Sequence, residues 1–227
     1  VTGMTGGNAK TMNDYFLGGQ SILGETAAKA MAMALSTSEV NAAMGRIVAA
    51  PTAGASGILP ATLMIMYHKY GFDDRKLMEA MLVATQVGQV IFDNATFAGA
   101  EGGCQAECGS ASAMAAGGLV ELMGGTPEMS LNAAAIVIKN ILGLVCDPVA
   151  GLVEIPCAKR NASGAVNAIC AADLVMAGIE SKIPFDDTVS AMAQVGKALP
   201  ETLRETALGG VAITKTGLML KKKVFSK

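Results

Sequence analysis

Residues 101–120 read EGGCQAECGSASAMAAGGLV. From residue 102 onward this stretch carries no charge except Glu107, so it raises the question of a membrane span, which needs about 18 or more consecutive apolar residues. Gly, Ser, Cys and Gln interrupt it throughout. Small residues at this density suit close contact between packed backbones better than contact with lipid. The rest of the chain has the same character: of 227 residues, 52% are hydrophobic but only 4% aromatic, with no Trp, and Ala, Met, Val, Leu and Ile carry the apolar content. That composition favours helices in close contact. We expect an all-α, single multi-helical domain over residues 1–227, with Gly- and Pro-rich loops and no membrane association.

Working outward, Gly and Pro punctuate the helices and almost no alternating strand pattern appears. A short helix follows the Gly-rich opening and stops at Gly18 and Gly19. A longer one runs from about residue 22 to 35, and Ser36 with Glu39 has the spacing of a capping box for a new helix carrying Met44 and Ile47. Pro60 suits the first turn of a helix that Gly71 ends. Asp73 or Asp74 caps the next, and Thr126, Pro127 and Glu128 open another. Pro148, Gly151 and Pro156 impose an irregular loop between residues 143 and 160. Asn161 is expected to cap an apolar helix to about Gly178, and Asp186 and Asp187 begin one that Pro200 interrupts.

A net charge of −2 provides no basic face for nucleic acid, and Lys221, Lys222 and Lys223 read as a solvated tail. No charged, apolar, small-residue order marks a signal peptide, although the start at Val1 suggests a trimmed or N-terminally truncated chain. Five cysteines, an odd number without an export signal, argue for reduced thiols in the cytoplasm rather than a disulfide framework. Cys104, Cys146 and Cys157 each lie beside turns, where flexible backbone can bring soft thiolates together on a metal cluster. Their spacing matches no stock zinc or ferredoxin motif, so on chemistry alone buried structural thiols are favoured over a metal site.

Four segments narrow that choice. TGGNAK at Thr5–Lys10, APTAGASGILPA at residues 50–61, EGGCQAE at residues 101–107 and LVCDPVAGLVEIPCAKRNA at residues 144–162 together resemble the iron–sulfur L-serine dehydratase α chain. The resemblance implies a 4Fe-4S cluster held by Cys104, Cys146 and Cys157, with one iron left open as a Lewis acid that assists loss of the serine hydroxyl. Removal of the Cα proton would then give aminoacrylate, which tautomerises and hydrolyses to pyruvate and ammonia without pyridoxal phosphate. It also implies a partner β subunit: the family has a small β domain with an SSSHT-type motif, nothing in this chain resembles it, and it could provide the catalytic base.

The family motif usually has an apolar residue where this chain has Cys108, which we read as packing, with a role as alternative ligand if the cluster is damaged. Cys170 reads as a buried small hydrophobe and His68 as a surface residue. For the serine carboxylate, candidates are Lys159, Arg160 and Asn161 after Cys157, the Thr5, Gly6 and Gly7 backbone, and Ser56 in the APTAGASG turn. Asp147, Glu101 and Glu107 are the carboxylates closest in sequence to the cysteines the resemblance makes ligands, with hydrogen bonding to the groups around those cysteines as their plain role. A related cluster lyase acting on another small hydroxy-amino acid, and a non-catalytic helical protein with structural or redox cysteines, are the alternatives.

Overall fold

The 101–120 stretch forms the middle of the molecule. A computed structural model describes residues 4–226, and in it α6 (Ser110–Leu122) is buried at every position except Glu121. Such a helix cannot rely on one apolar stripe; it needs neighbours on all sides. They are α3 (Ile58–Tyr70), α4 (Asp74–Asn94), α7 (Pro127–Asn140) and α8 (Cys157–Met176). The small residues make this possible. A Cβ on Gly118 would lie 2.8 Å from the Ala80 carbonyl oxygen of α4, and one on Gly164 of α8 would lie 2.6 Å from Ile58 and 2.7 Å from Ser112. Around these contacts, Ile58, Ile91, Leu119, Leu122 and Ile138 are fully buried, each contributing about 1.5–3 kcal/mol of transfer free energy.

The other helices wrap this core. α1 (Asn8–Leu17) lies along α2 (Gly24–Ala42), which packs on α8. α5 (Gly99–Gly102), a π-helical turn (Gln105–Gly109) and α9 (Phe185–Ala198) close one end of α6, and α10 (Lys215–Phe225) lies against the 3-10 turn Val149–Gly151. Among the described residues the one β-type contact is an isolated parallel bridge between Cys146 and Arg204, so the all-α expectation holds.

Most punctuation acts as expected. Gly18 ends α1, Gly71 ends α3 in the left-handed region at φ 65°, Asp73 caps α4 by accepting the Lys76 N–H at 2.8 Å, and the Thr126 hydroxyl caps α7. Three expectations fail. The break at Ser36 does not occur, because Thr37 and Ser38 turn their hydroxyls back onto the Met33 and Ala34 carbonyls inside a continuous α2. Glu39 instead reaches across to accept the Asn8 and Ala9 amides, capping α1 from outside. Asn161 is not an N-cap: α8 starts four residues earlier, at Cys157. Lys221, Lys222 and Lys223 are exposed as expected, but on the last helix rather than in a tail.

Candidate metal centre

Cys104, Cys146 and Cys157 come from three separate segments, and each is placed by backbone rather than by a helix interior. Gly103 turns the chain into Cys104 at φ 76°, a conformation suited to glycine, with Leu199 and the Leu144 carbonyl too close to admit a side chain. Cys146 is held on both sides, donating its N–H to Leu203 at 2.9 Å and accepting the Glu205 N–H at 2.7 Å. Cys157 is the first residue of α8.

Gln105 joins two of these segments. Its amide donates to Leu144, its Oε1 accepts the Gly143 N–H at 2.8 Å, and its Nε2 donates to Gly102 and Met192 at 3.0 Å each. It is fully buried and fully partnered, so the Cys104 turn, the Cys146 loop and α9 are fixed together. Arg160 braces the Cys146 loop from α8, donating to the Val145 carbonyl at 2.8 Å and pairing with the buried Asp147 at 3.0 Å. Asp147 also accepts the Val211 N–H.

The thiols feel one another. Cys104 and Cys108 stand 3.3 Å apart, sulfur to sulfur. Their hydrogen bond lowers the pKa of Cys104, with Arg160 adding to the effect, and raises that of Cys108, where burial adds to it. Burial pushes Cys157 up to about 12 and Cys146 higher still, with Cys104 and Glu107 acting in the same direction on both. Burial also raises Glu107, against the hydrogen bond its Oε1 accepts from Thr52. Gly99 packs closely against this group: a Cβ there would lie 3.0 Å from Cys146 Sγ, 3.2 Å from Glu205 Oε2 and 3.5 Å from Glu107 Oε2.

This donor set fits an iron–sulfur cluster. The sulfurs are soft, unpaired and shielded, and burial of this kind is relieved when a cation takes the place of the thiol protons. Among the described residues no three His, Cys, Asp or Glu converge on a single metal ion. A cluster makes no such demand, because each thiolate serves a different iron.

Fold and site together define an all-helical protein with buried cysteines, drawn from three segments and electrostatically coupled, beside the carboxylates of Glu107 and Glu205. The chain belongs to the serine dehydratase alpha chain family, whose model matches residues 1–212. It is 59% identical over 219 residues to the L-serine dehydratase, alpha chain, of Peptoniphilus asaccharolyticus, covering 96% of this chain and 75% of that one. It is 51% identical over 224 residues to the probable L-serine dehydratase, alpha chain, of Bacillus subtilis, covering 99% and 75%. To the L-serine dehydratase TdcG of Escherichia coli it is 46% identical over 183 residues, 79% of this chain but 40% of that longer protein.

The other residues singled out in the sequence are distributed around this centre. Thr5 gives its N–H and hydroxyl to Glu154, three residues before Cys157, and Gly6 and Gly7 are exposed beside it. Ser56 is buried and donates to Ala53 within its own turn. Asn161 donates to Gly54 and Cys157 and accepts from Gly57. Lys159 lies instead on the apolar groove between α1, α2 and α8, with Met12, Tyr15 and Leu35. Glu101 is exposed and accepts from Thr96, and His68 is exposed.

Cys170 corrects the sequence reading: it is exposed, because α8 buries Ala165, Ala168, Ala171 and Ala172 and turns position 170 outward with Ser163 and Asp173. Sequence reasoning also missed Thr52, Gln105 and Glu205. The first two stood inside quoted segments and lacked only a reason to be singled out. Glu205 lies in a stretch with no local signal and is brought in solely by pairing with Cys146.

Proposed function

We propose that this chain deaminates L-serine to pyruvate and ammonia as the cluster-bearing α subunit of an L-serine dehydratase, with Cys104, Cys146 and Cys157 holding a 4Fe-4S cluster. The observation that carries this reading is the convergence of these buried thiols from three segments in a chain of this family. When bound, the cluster supplies a Lewis acid toward the serine hydroxyl.

The chain's own residues shape the place where serine sits. Arg160 and Asp147 hold the Cys146 loop, and Gln105 fixes it against Cys104, so the ligands keep their spacing without the metal. Thr52 donates to Glu107 Oε1 and leaves Oε2, beside Gly99 and Cys146, as the oxygen to accept a hydrogen bond from the substrate ammonium. The exposed amides of Gly6 and Gly7, anchored through Thr5 to Glu154, are suited to the substrate carboxylate. A β chain completes the site and provides the base for the Cα proton. Five free cysteines suit a cytoplasmic setting. No helix in the described residues is long and apolar enough to cross a membrane.

The test is iron and sulfide content of protein purified without oxygen, then pyruvate release from L-serine with and without the β chain. Bound iron and sulfide with β-dependent pyruvate release supports the reading. Protein that stays iron-free after anaerobic reconstitution refutes it.

A further inference from the structure

We propose that Cys104 and Cys108 are a redox modification site: in the cluster-free chain a peroxide joins them in a disulfide, which withdraws Cys104 from cluster assembly until a dithiol reduces it. The disulfide itself rests on geometry alone; its consequence rests on Cys104 being a ligand, as proposed above.

Cys108 is the buried thiol that the three-ligand set leaves unused, and its sulfur lies 3.3 Å from that of Cys104. In a regular α-helix, residues four apart keep their Cβ atoms about 5–6 Å apart, whereas a disulfide wants roughly 3.5–4.5 Å. Here the intervening chain is the π-helical turn Gln105–Gly109, and Gly102 and Gly103 lead into it. The altered winding already brings the two sulfurs together, so bond formation needs an approach of about 1.3 Å more. No other pair of the five cysteines shares a hydrogen bond among the described residues.

The chemistry balances. Hydrogen peroxide oxidises one thiol to a sulfenic acid and releases one water. The other thiol then attacks that sulfur, the S–O bond breaks, and a second water leaves, so the sulfur pair gives two electrons to the peroxide. The second sulfur already stands 3.3 Å away, so closure onto it competes well with further oxidation. Ligand Cys104 is thereby stored in a form that a dithiol returns intact.

Tryptic mass mapping of cluster-free chain, treated with hydrogen peroxide and then alkylated, decides the matter, because cleavage after Lys76, Lys139 and Lys159 leaves Cys104 and Cys108 in one peptide and Cys146 and Cys157 in another. The expected result is that peptide 77–139 becomes lighter by its two thiol hydrogens and takes up no alkylating agent, with dithiol restoring both sites. Oxidised wild-type chain should also reload iron and sulfide roughly tenfold less than after dithiol treatment. Cys108→Ala and Cys108→Ser should reload equally with or without the dithiol.

Full alkylation of Cys104 and Cys108 after peroxide, or a bond located in peptide 140–159, overturns the proposal. A disulfide that forms without slowing reloading overturns its regulatory half. Failure of fully reduced wild-type chain to take up iron would count against the cluster reading instead, while the mass map still decides the disulfide.

Discussion

Asn161 reaches from α8 into the turn ahead of α3, where its Oδ1 accepts the Gly57 N–H at 3.0 Å and its Nδ2 donates to the Gly54 carbonyl at 2.7 Å. The same Nδ2 donates to Cys157. One buried amide thus ties the glycine turn beside Glu107 to the helix that begins with Cys157. Asn161→Ala leaves a buried N–H and carbonyl without partners and should lower unfolding free energy by about 1–3 kcal/mol. Urea denaturation of the cluster-free chain measures this, and an unchanged midpoint would show that the turn holds itself.

Asp147 is buried against Arg160, which is itself mostly shielded, so removing one partner strands the other. Asp147→Ala should cost about 3–5 kcal/mol, whereas replacing both with apolar residues of similar volume should recover much of that loss. Comparing the single and double variants by chemical denaturation separates stranded charge from lost packing. Equal losses in the two would contradict the pairing.

The approach of α4 to α6 is limited by backbone. Because a Cβ at Gly118 would meet the Ala80 carbonyl at 2.8 Å, Gly118→Ala should destabilise by about 1–3 kcal/mol despite the better helix propensity of Ala. At roughly 2–4 °C per kcal/mol for a chain of this size, calorimetry resolves the shift. A higher Tm would mean that the two helices separate freely.

Removing a proposed ligand and removing a bystander should differ. Cys146→Ala is expected to abolish most iron and sulfide binding, while Cys170→Ala, on the exposed face of α8, should leave it intact. Iron analysis of both proteins after identical anaerobic reconstitution is the measurement. Equal iron content would remove Cys146 from the ligand set.

Much of this was legible in the sequence wherever chemistry is local. Gly71, Asp73 and the Thr126 to Glu128 signal act within one helical turn, and the structure places them as expected. The small residues of 101–120 pointed to buried backbone contact, but the helix they form from Ser110 to Leu122 was not assigned in advance. What the sequence could not show depends on distant partners. Ser36 and Glu39 had the right spacing for a cap, but Glu39 serves Asn8 and Ala9 from another helix. Cys170 was misread because an apolar neighbourhood in sequence does not fix which way a helix faces. Glu205 enters the site through pairing with Cys146, and no periodicity encodes a contact across that separation.

The bridge between Cys146 and the 203–205 segment also imposes an order on biosynthesis. The backbone partners that fix Cys146 are synthesised about 60 residues after it, an interval of roughly 3–12 s at ordinary elongation rates. A nascent chain therefore passes through a stage in which Cys104, Cys146 and Cys157 have all been made but the Cys146 loop still lacks its clasp. On the proposed ligand set, delivery of iron and sulfide to the finished architecture would follow emergence of that last segment from the ribosome.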